Sequence, residues 1–313
     1  MAKKTEKNNR LVIITGCNGF AGKYLVSFLR KRRKAYRVIG IDLQRSAACD
    51  VDLYVKNDLS DSFPPVVRGE MERARKILCF HLAGLIFEKN IKKLCLNNIS
   101  ATANTFSSLV PYKDKAVAVN IGSAAEYGYH GTKAITEKFQ ANPVSAYGFS
   151  KLSQTQLAYC FFELYNLPVI MSRTFNIVGP GQTDKLVCGR LVSEIAYCKK
   201  QKSGAVSLKN TGTYRDFVDV RDAVKAYVLL AEKGSPGELY NIASGRSVKI
   251  KYVADFILRI ARIKPNIDGC EDGPGKQDIP YQKASIKKIQ RETGWKPGYS
   301  LERSLRDMLA FEM

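Results

Sequence analysis

The feature that most constrains this chain stands near its start. An apolar run, Leu11-Val-Ile-Ile-Thr15, passes directly into Gly16-Cys-Asn-Gly19-Phe-Ala-Gly22 and then into a segment of helical character. A short apolar run bounded by glycine reads as a strand buried on both faces. Glycines three residues apart let the backbone turn tightly, bring it close to a bulky anion, and let the next helix pack against the strand. The helix start then offers free N–H groups and the positive end of its dipole. Strand, glycine turn and helix in this order predict a pyrophosphate held by Gly16, Asn18, Gly19, Phe20, Ala21 and Gly22.

The remaining chain keeps the alternation. Apolar runs at 37–42, 76–82, 116–121 and 168–172 read as strands, and 91–109 and 147–165 read as helices. Strands alternating with helices predict an α/β fold, a doubly wound parallel (Rossmann) sheet. After Phe175 the pattern changes: helices are expected near 186–199, 221–232, 251–261, 285–293 and 300–311, with strand-like pieces at 205–208, 214–220 and 238–242. The Gly-, Pro- and Asp-rich stretch 264–281 reads as a loop. The expected organisation is a dinucleotide-binding domain over 1–176, rejoined by 215–245. A smaller C-terminal α/β substrate-binding domain takes 177–214 and 246–313.

Composition narrows the function classes. Fifty Lys and Arg against 29 Asp and Glu give a formal charge of +21, with one cluster at Arg30-Lys-Arg-Arg-Lys34. Basic residues interleaved with aromatics, the pattern of a nucleic-acid surface, are not found. The charge is therefore read as a solvated basic surface whose field favours anionic small molecules over nucleic acid. No run approaches the ~20 apolar residues of a membrane span, and the basic start does not resemble a signal peptide, so no membrane association and a cytoplasmic location are expected. Eight cysteines without a CxxC pair read as reduced thiols, with Cys79, Cys95 and Cys160 expected inside apolar segments. Two histidines, His81 and His130, are too few for a His-rich metal site, and no metal is expected. His130 falls in a loop from which it would reach a ligand or simply face solvent.

Asp42 closes the second strand, about 20 residues beyond the last glycine, where a carboxylate accepts from adenosine ribose hydroxyls and repels a 2′-phosphate. That favours NAD(H); Arg45 nearby keeps NADP(H) open. Tyr147 and Lys151 are four apart and share a helix face. An ammonium close to a phenol is expected to lower its pKa and let it exchange a proton with a hydroxyl or carbonyl. Ser123 follows a strand ending at the same sheet edge, and its hydroxyl can hold the reacting oxygen.

Together, Thr15-Gly-x-x-Gly-x-x-Gly22, His81-Leu-Ala-Gly84, Gly122-Ser-Ala-Ala-Glu-Tyr-Gly128 and Ser145-Ala-Tyr-Gly-Phe-Ser-Lys151 resemble the extended short-chain dehydrogenases that modify nucleotide sugars. The resemblance runs from about Leu11 to Leu309. It implies that Ser123, Tyr147 and Lys151 are catalytic, that Lys151 also holds the nicotinamide ribose, and that Asp58 and Leu59 lie at the adenine. It places Leu82, Ala83 and Gly84 along the dinucleotide. Such enzymes are often dimers packed through the Tyr147 helix.

Arg173-Thr-Phe-Asn-Ile-Val-Gly-Pro-Gly-Gln182 and Arg215-Asp-Phe-Val-Asp-Val-Arg-Asp222 resemble the GDP-mannose branch, which contains GDP-mannose 4,6-dehydratase and GDP-6-deoxy-D-mannose reductase. The resemblance places Asn176 and Arg215 on the sugar nucleotide's phosphates and Val187 and Arg190 at the substrate. Lys276 stands in for an arginine that the family carries near the last loop. Arg215 would otherwise pair with Asp216 or Asp219 at the surface. Dehydratases of the family carry carboxylates just after the serine or threonine; here these are Ala124 and Ala125, which move no proton. Glu126 comes one residue late and, on an extended segment, points the other way. Ala125 also lacks the cysteine of the GDP-fucose-forming epimerase-reductases. The expectation is reduction of a GDP-linked 4-keto-6-deoxyhexose. A 4-epimerase with tightly held NAD is the alternative, and a dehydratase or a silent binding protein is less favoured.

Overall fold

A computed structural model of the chain describes residues 10–32, 36–201, 205–209, 211–264, 266–271 and 279–313, with 207–209 and 266–271 seen through their backbone. In chain order the elements are β1 (Arg10–Thr15), α1 (Phe20–Lys31), β2 (Arg37–Asp42), β3 (Leu53–Lys56), α2 (Pro65–Arg73), β4 (Lys76–His81), α3 (Ile91–Leu109), β5 (Ala116–Ser123), α4 (Ala146–Tyr165), β6 (Val169–Thr174) and β7 (Asn176–Val178). They continue with α5 (Val187–Gln201), β8 (Ala205–Lys209), β9 (Tyr214–Asp219), α6 (Val220–Lys233), β10 (Leu239–Ile242), β11 (Ser247–Lys249), α7 (Ile250–Ala261), β12 (Asn266–Glu271), α8 (Lys287–Thr293) and α9 (Leu301–Glu312).

Seven parallel strands form the main sheet in the order β10-β6-β5-β4-β1-β2-β3. Its central strands are buried and largely apolar because helices cover both faces, and a strand buried on both sides has no solvent face to show. One apolar cluster packs α1 and α6 on one face; a second packs α2, α3 and α4 on the other. Strand order reverses between β4 and β1, which opens a crevice at their carboxyl ends. The segment 215–245 divides: β9 joins β7 and β11 in a small sheet, whereas α6 and β10 return to the large one. A third cluster joins α5, α7 and α9 over the small sheet.

Several elements depart from the sequence expectation. β3 and α2 were not expected, because β3 is a half-buried edge strand and α2 buries only Val67 and Met71. Part of the expected loop 264–281 is β12, which pairs with β8 across the sequence gap and carries no apolar alternation of its own. Cys160 is exposed and Cys95 half-buried, unlike the buried Cys79. In the basic cluster, Arg30 and Arg32 pair with Asp52 and Glu232, while Arg33 and Lys34 lie outside the described residues. No helix among the described residues is long and apolar enough to cross a membrane.

The only tryptophan ties the C-terminal segment to α6. Trp295 is fully buried against α6, and its indole N–H donates to the Asp222 carbonyl at 3.1 Å. The Asp222 carboxylate accepts from the Gly298 and Tyr299 amides, both at 2.8 Å. Replacing a large buried aromatic leaves both a cavity and an unpaired carbonyl. Trp295→Ala is expected to cost about 3–5 kcal/mol, read as a lowered urea midpoint by far-ultraviolet circular dichroism.

Candidate functional site

The crevice is built by close packing at the first turn. A Cβ on Gly22 would sit 2.3 Å from the Gly16 carbonyl oxygen and 2.7 Å from that of Cys17. Only glycine lets α1 start this near β1, and so leaves its first amides facing outward. Thr15 ties β1 to β4: its hydroxyl bonds His81 Nδ1 at 2.8 Å and accepts from the Ala83 amide at 3.3 Å. Gly16, Asn18, Gly19, Phe20, Ala21 and Gly22 thus form one rim of the crevice, and Leu82, Ala83 and Gly84 the other. Asp42 stands beside them. One carboxylate oxygen accepts from the Asn18 amide at 2.9 Å and the other from the Gln44 amide at 3.4 Å. Asn18 in turn holds the following loop through Ala48 and Ser46.

Asp58 is exposed, with its pKa lowered by hydrogen bonds from Ser60. Leu59 is buried with φ at +57°, a region that a branched side chain rarely adopts. Its carbonyl accepts from Asn104 of α3 at 2.8 Å, which helps hold that conformation. This groove, with its glycine turn and the start of α1 at its rim, fits a dinucleotide.

Ser123, Tyr147 and Lys151 come together at the carboxyl end of β5. The Ser123 hydroxyl lies close enough to the Tyr147 phenol to favour its ionised form. Lys151 is buried and donates to the Ile121 carbonyl at 2.6 Å. Burial pulls its pKa down to about 8, with the Glu126 charge holding it up in part. The expected lowering of the tyrosine is not seen. Burial pushes Tyr147 up to about 12, Ser123 pulls it back and Glu126 pushes further. The cause is desolvation, which penalises a phenolate more than the nearby Ser123 hydroxyl favours it. At neutral pH this tyrosine holds its proton.

A polar network behind the pair fixes α4. Asn98 of α3 donates to Ser150 at 2.9 Å, and Ser150 donates to the Tyr147 carbonyl at 2.8 Å. Gln154 and His81 both meet the Thr102 hydroxyl, at 2.6 and 2.9 Å. Burial, and then the Lys151 charge, bring His81 down to about 3, so it is neutral. No motif pointed to Asn98, Gln154 or Thr102; polar residues at helical spacing toward an apolar sheet were the available signal.

The segment after Ser123 is a single 3₁₀ turn, Ala124–Glu126, not an extended one. Glu126 folds back to cap Ser123 and pairs with Arg173 at 2.7 Å. Arg173, missed as a site residue, was visible as the one charge in the buried run Val169–Thr174.

The remaining substrate candidates are arranged less completely. The Asn176 amide donates to the Asp216 carbonyl at 3.1 Å and to Gln282 at 3.2 Å, so its two hydrogens are spent within the protein. Arg215 Nη1 donates to the carbonyls of Tyr214 and Ile279. Asp216, its expected surface partner, is instead buried, accepting from the Ser244, Gly245 and Ala284 amides, with burial raising it to about 6. Val187 and Arg190 are half-buried in the first turn of α5. Lys276 lies outside the described residues. His130 is structural: Nε2 lies 2.9 Å from the carbonyls of Tyr127 and Gln140, and its ring packs edge-on against Phe139.

A doubly wound sheet with serine, tyrosine and lysine gathered at its carboxyl edge is the arrangement of the extended short-chain dehydrogenases. The chain belongs to the family described as GDP-mannose 4,6 dehydratase, whose sequence model matches residues 13–308. It is 26% identical to GDP-6-deoxy-D-mannose reductase of Pseudomonas aeruginosa, over 96% of each chain. It is 27% identical to GDP-6-deoxy-D-talose 4-dehydrogenase of Aggregatibacter actinomycetemcomitans, over 90% of this chain and 91% of that one. Among solved structures, RMD from Pseudomonas aeruginosa complexed with NADPH superimposes with a TM-score of 0.82 at 24% identity, over 96% of this chain and 98% of that one.

Because Gly22 meets backbone rather than mobile side chains, Gly22→Ala is expected to lower stability by about 1–3 kcal/mol. It is also expected to weaken dinucleotide binding roughly tenfold or more, by displacing the helix start from the phosphates. Thermal melts and a fluorescence titration with NADH and NADPH check both.

Proposed function

We propose that the chain reduces the 4-keto group of a nucleotide-linked 4-keto-6-deoxyhexose, with the nucleotide GDP and the coenzyme NAD(H) or NADP(H). The observation that carries this reading is Ser123, Tyr147 and Lys151 gathered at the carboxyl end of β5 beside a dinucleotide groove, with methyl groups at Ala124 and Ala125 where a dehydratase needs an acid and a base. Both relatives quoted above are named for reduction or dehydrogenation of a GDP-linked 6-deoxyhexose, which supports the nucleotide and the position.

A bound nicotinamide supplies the hydride. The protein's part is to hold and move the proton. The Ser123 hydroxyl fixes the carbonyl oxygen, and Tyr147, kept protonated by burial, donates to it as alkoxide character develops. Lys151, beneath, stabilises the phenolate left behind. A phenol held in its acid form suits reduction. Asp42 favours NAD(H) through the ribose hydroxyls. Residues 177–214 and 246–313 would form the substrate-binding part, with Arg215, Arg190 and Val187 nearest the sugar nucleotide, Lys276 on its phosphates and Asn176 presenting its amide oxygen. Exposed Leu96, Phe149, Tyr159 and Leu164 on α3 and α4 suit packing against a second copy. A cytoplasmic location accords with this chemistry.

The direct test is nicotinamide oxidation, followed by absorbance, with a panel of GDP-, UDP-, dTDP- and CDP-linked 4-keto-6-deoxyhexoses. Turnover with the GDP-linked ketone is expected, and Tyr147→Phe is expected to lose about 10²–10⁴ in kcat. Interconversion of nucleotide-hexose epimers without added coenzyme would overturn the reading, and preference for another base would overturn the GDP assignment. The pH profile gives a second check. Lys151 carries its charge below about 8 and loses it above. If its cation supports the phenolate, kcat/KM must fall as pH rises through about 8.

A further inference from the structure

Ser123 is aimed by a device that the reaction chemistry does not itself require. Its hydroxyl oxygen accepts from the Ala125 amide at 3.2 Å, which fixes the direction of the side chain beside Tyr147. Its own amide donates to Glu126 Oε1 at 2.7 Å, so serine and glutamate cap each other across one turn. Glu126 is wholly buried. Its second oxygen accepts from Arg173 Nε at 2.7 Å, and the guanidinium lies 4.2 Å from the Tyr127 ring centre. Tyr127 is locked in turn by its hydroxyl on Asn241 at 2.7 Å. The carboxylate occupies space that a side chain at 122 would fill: a Cβ there would sit 2.4 Å from Oε1. Gly122, Ser123, Glu126 and Arg173 are therefore one unit spanning β5 and β6, where Gly122 and Arg173 are direct register partners.

We propose that Glu126 is a positioning residue: its carboxylate holds the Ser123 amide and sets its negative charge against Gly122 and Ser123, at the same end of β5 where the Ile121 carbonyl takes the Lys151 ammonium. The assignment rests on the proposed roles of Ser123, Tyr147 and Lys151. The groups facing Glu126 are Arg173 from β6, Lys151 and Tyr147 from α4, and Tyr127 beside it. Those facing Lys151 are Glu126 and neutral His81. Such a carboxylate does two separable things. As an acceptor it fixes the serine's direction, and as a charge it opposes the desolvation of Lys151.

Two variants separate these. Glu126→Gln keeps an acceptor of the same length and removes the charge. The alkaline limb of kcat/KM is expected to move down by about one pH unit, with KM for sugar nucleotide and coenzyme within about twofold, because neither contacts Glu126. Glu126→Asp keeps the charge and shortens the reach; kcat is expected to fall roughly tenfold with the limb unmoved. Should Glu126→Gln fold poorly because Arg173 is left buried and unpaired, Glu126→Gln with Arg173→Met removes both charges together. Lys151 is also titrated directly, by trace acetylation across pH and mass spectrometry, with no sugar substrate present. A lower Lys151 midpoint in the folded charge-removed variant supports the proposal. An unchanged midpoint together with a wild-type pH profile overturns it. If no keto-sugar is turned over by the wild-type protein, the function reading fails, while the Lys151 titration still decides the role of Glu126.

Discussion

Parallel pairing of the seven strands is the constraint on which everything else depends. Each strand of a parallel sheet must be reached by a crossover from the opposite edge, so all the strands end at one edge and the loops that follow them emerge there. Thr15, Asp42, His81 and Ser123 are the last residues of β1, β2, β4 and β5. They lie far apart in the chain and share one rim only because their strands run in step. The reversal of strand order between β4 and β1 then opens the rim into a crevice. The hydroxyl of Thr15 on the His81 ring closes its floor.

The site is dry, and that decides its protonation states. Lys151, Glu126, Arg173 and His81 are all buried at the end of β5 and its neighbours. In such surroundings a charge persists only where a partner compensates for lost water. Glu126 has Arg173 and the Ser123 amide; Lys151 has the Ile121 carbonyl and the Glu126 field; His81 has no opposing charge and stays neutral. Tyr147 illustrates the limit of reasoning from spacing. A lysine four residues away is necessary for activating a phenol, yet proximity along a helix does not say how far burial works against it.

Much of the fold was legible because it is written locally. Apolar runs for β1, β2, β4, β5 and β6 report burial on both faces, and α3 and α4 follow the expected limits closely. The misses share a cause. β12 exists because its backbone pairs with β8, and α2 because two residues reach the core; neither leaves a strong periodic trace. Among site residues, Ser123, Tyr147 and Lys151 were visible as a motif. Glu126 was recognised as displaced but given the wrong geometry, since a turn and not a strand follows Ser123. The donors of Asn176 turn out to be occupied by Asp216 and Gln282, residues 40 and 106 positions away.

The sequence by itself determined the doubly wound sheet, the glycine turn and the pairing of Tyr147 with Lys151, because each depends on short-range pattern: apolar runs, residues without side chains, and positions one helical turn apart. Only the tertiary structure decided that burial raises the pKa of Tyr147, that Glu126 caps Ser123 through a 3₁₀ turn, and that Arg173 closes the pair from β6. These are consequences of desolvation and of register between strands, and both come into being only when distant segments exclude water from one another.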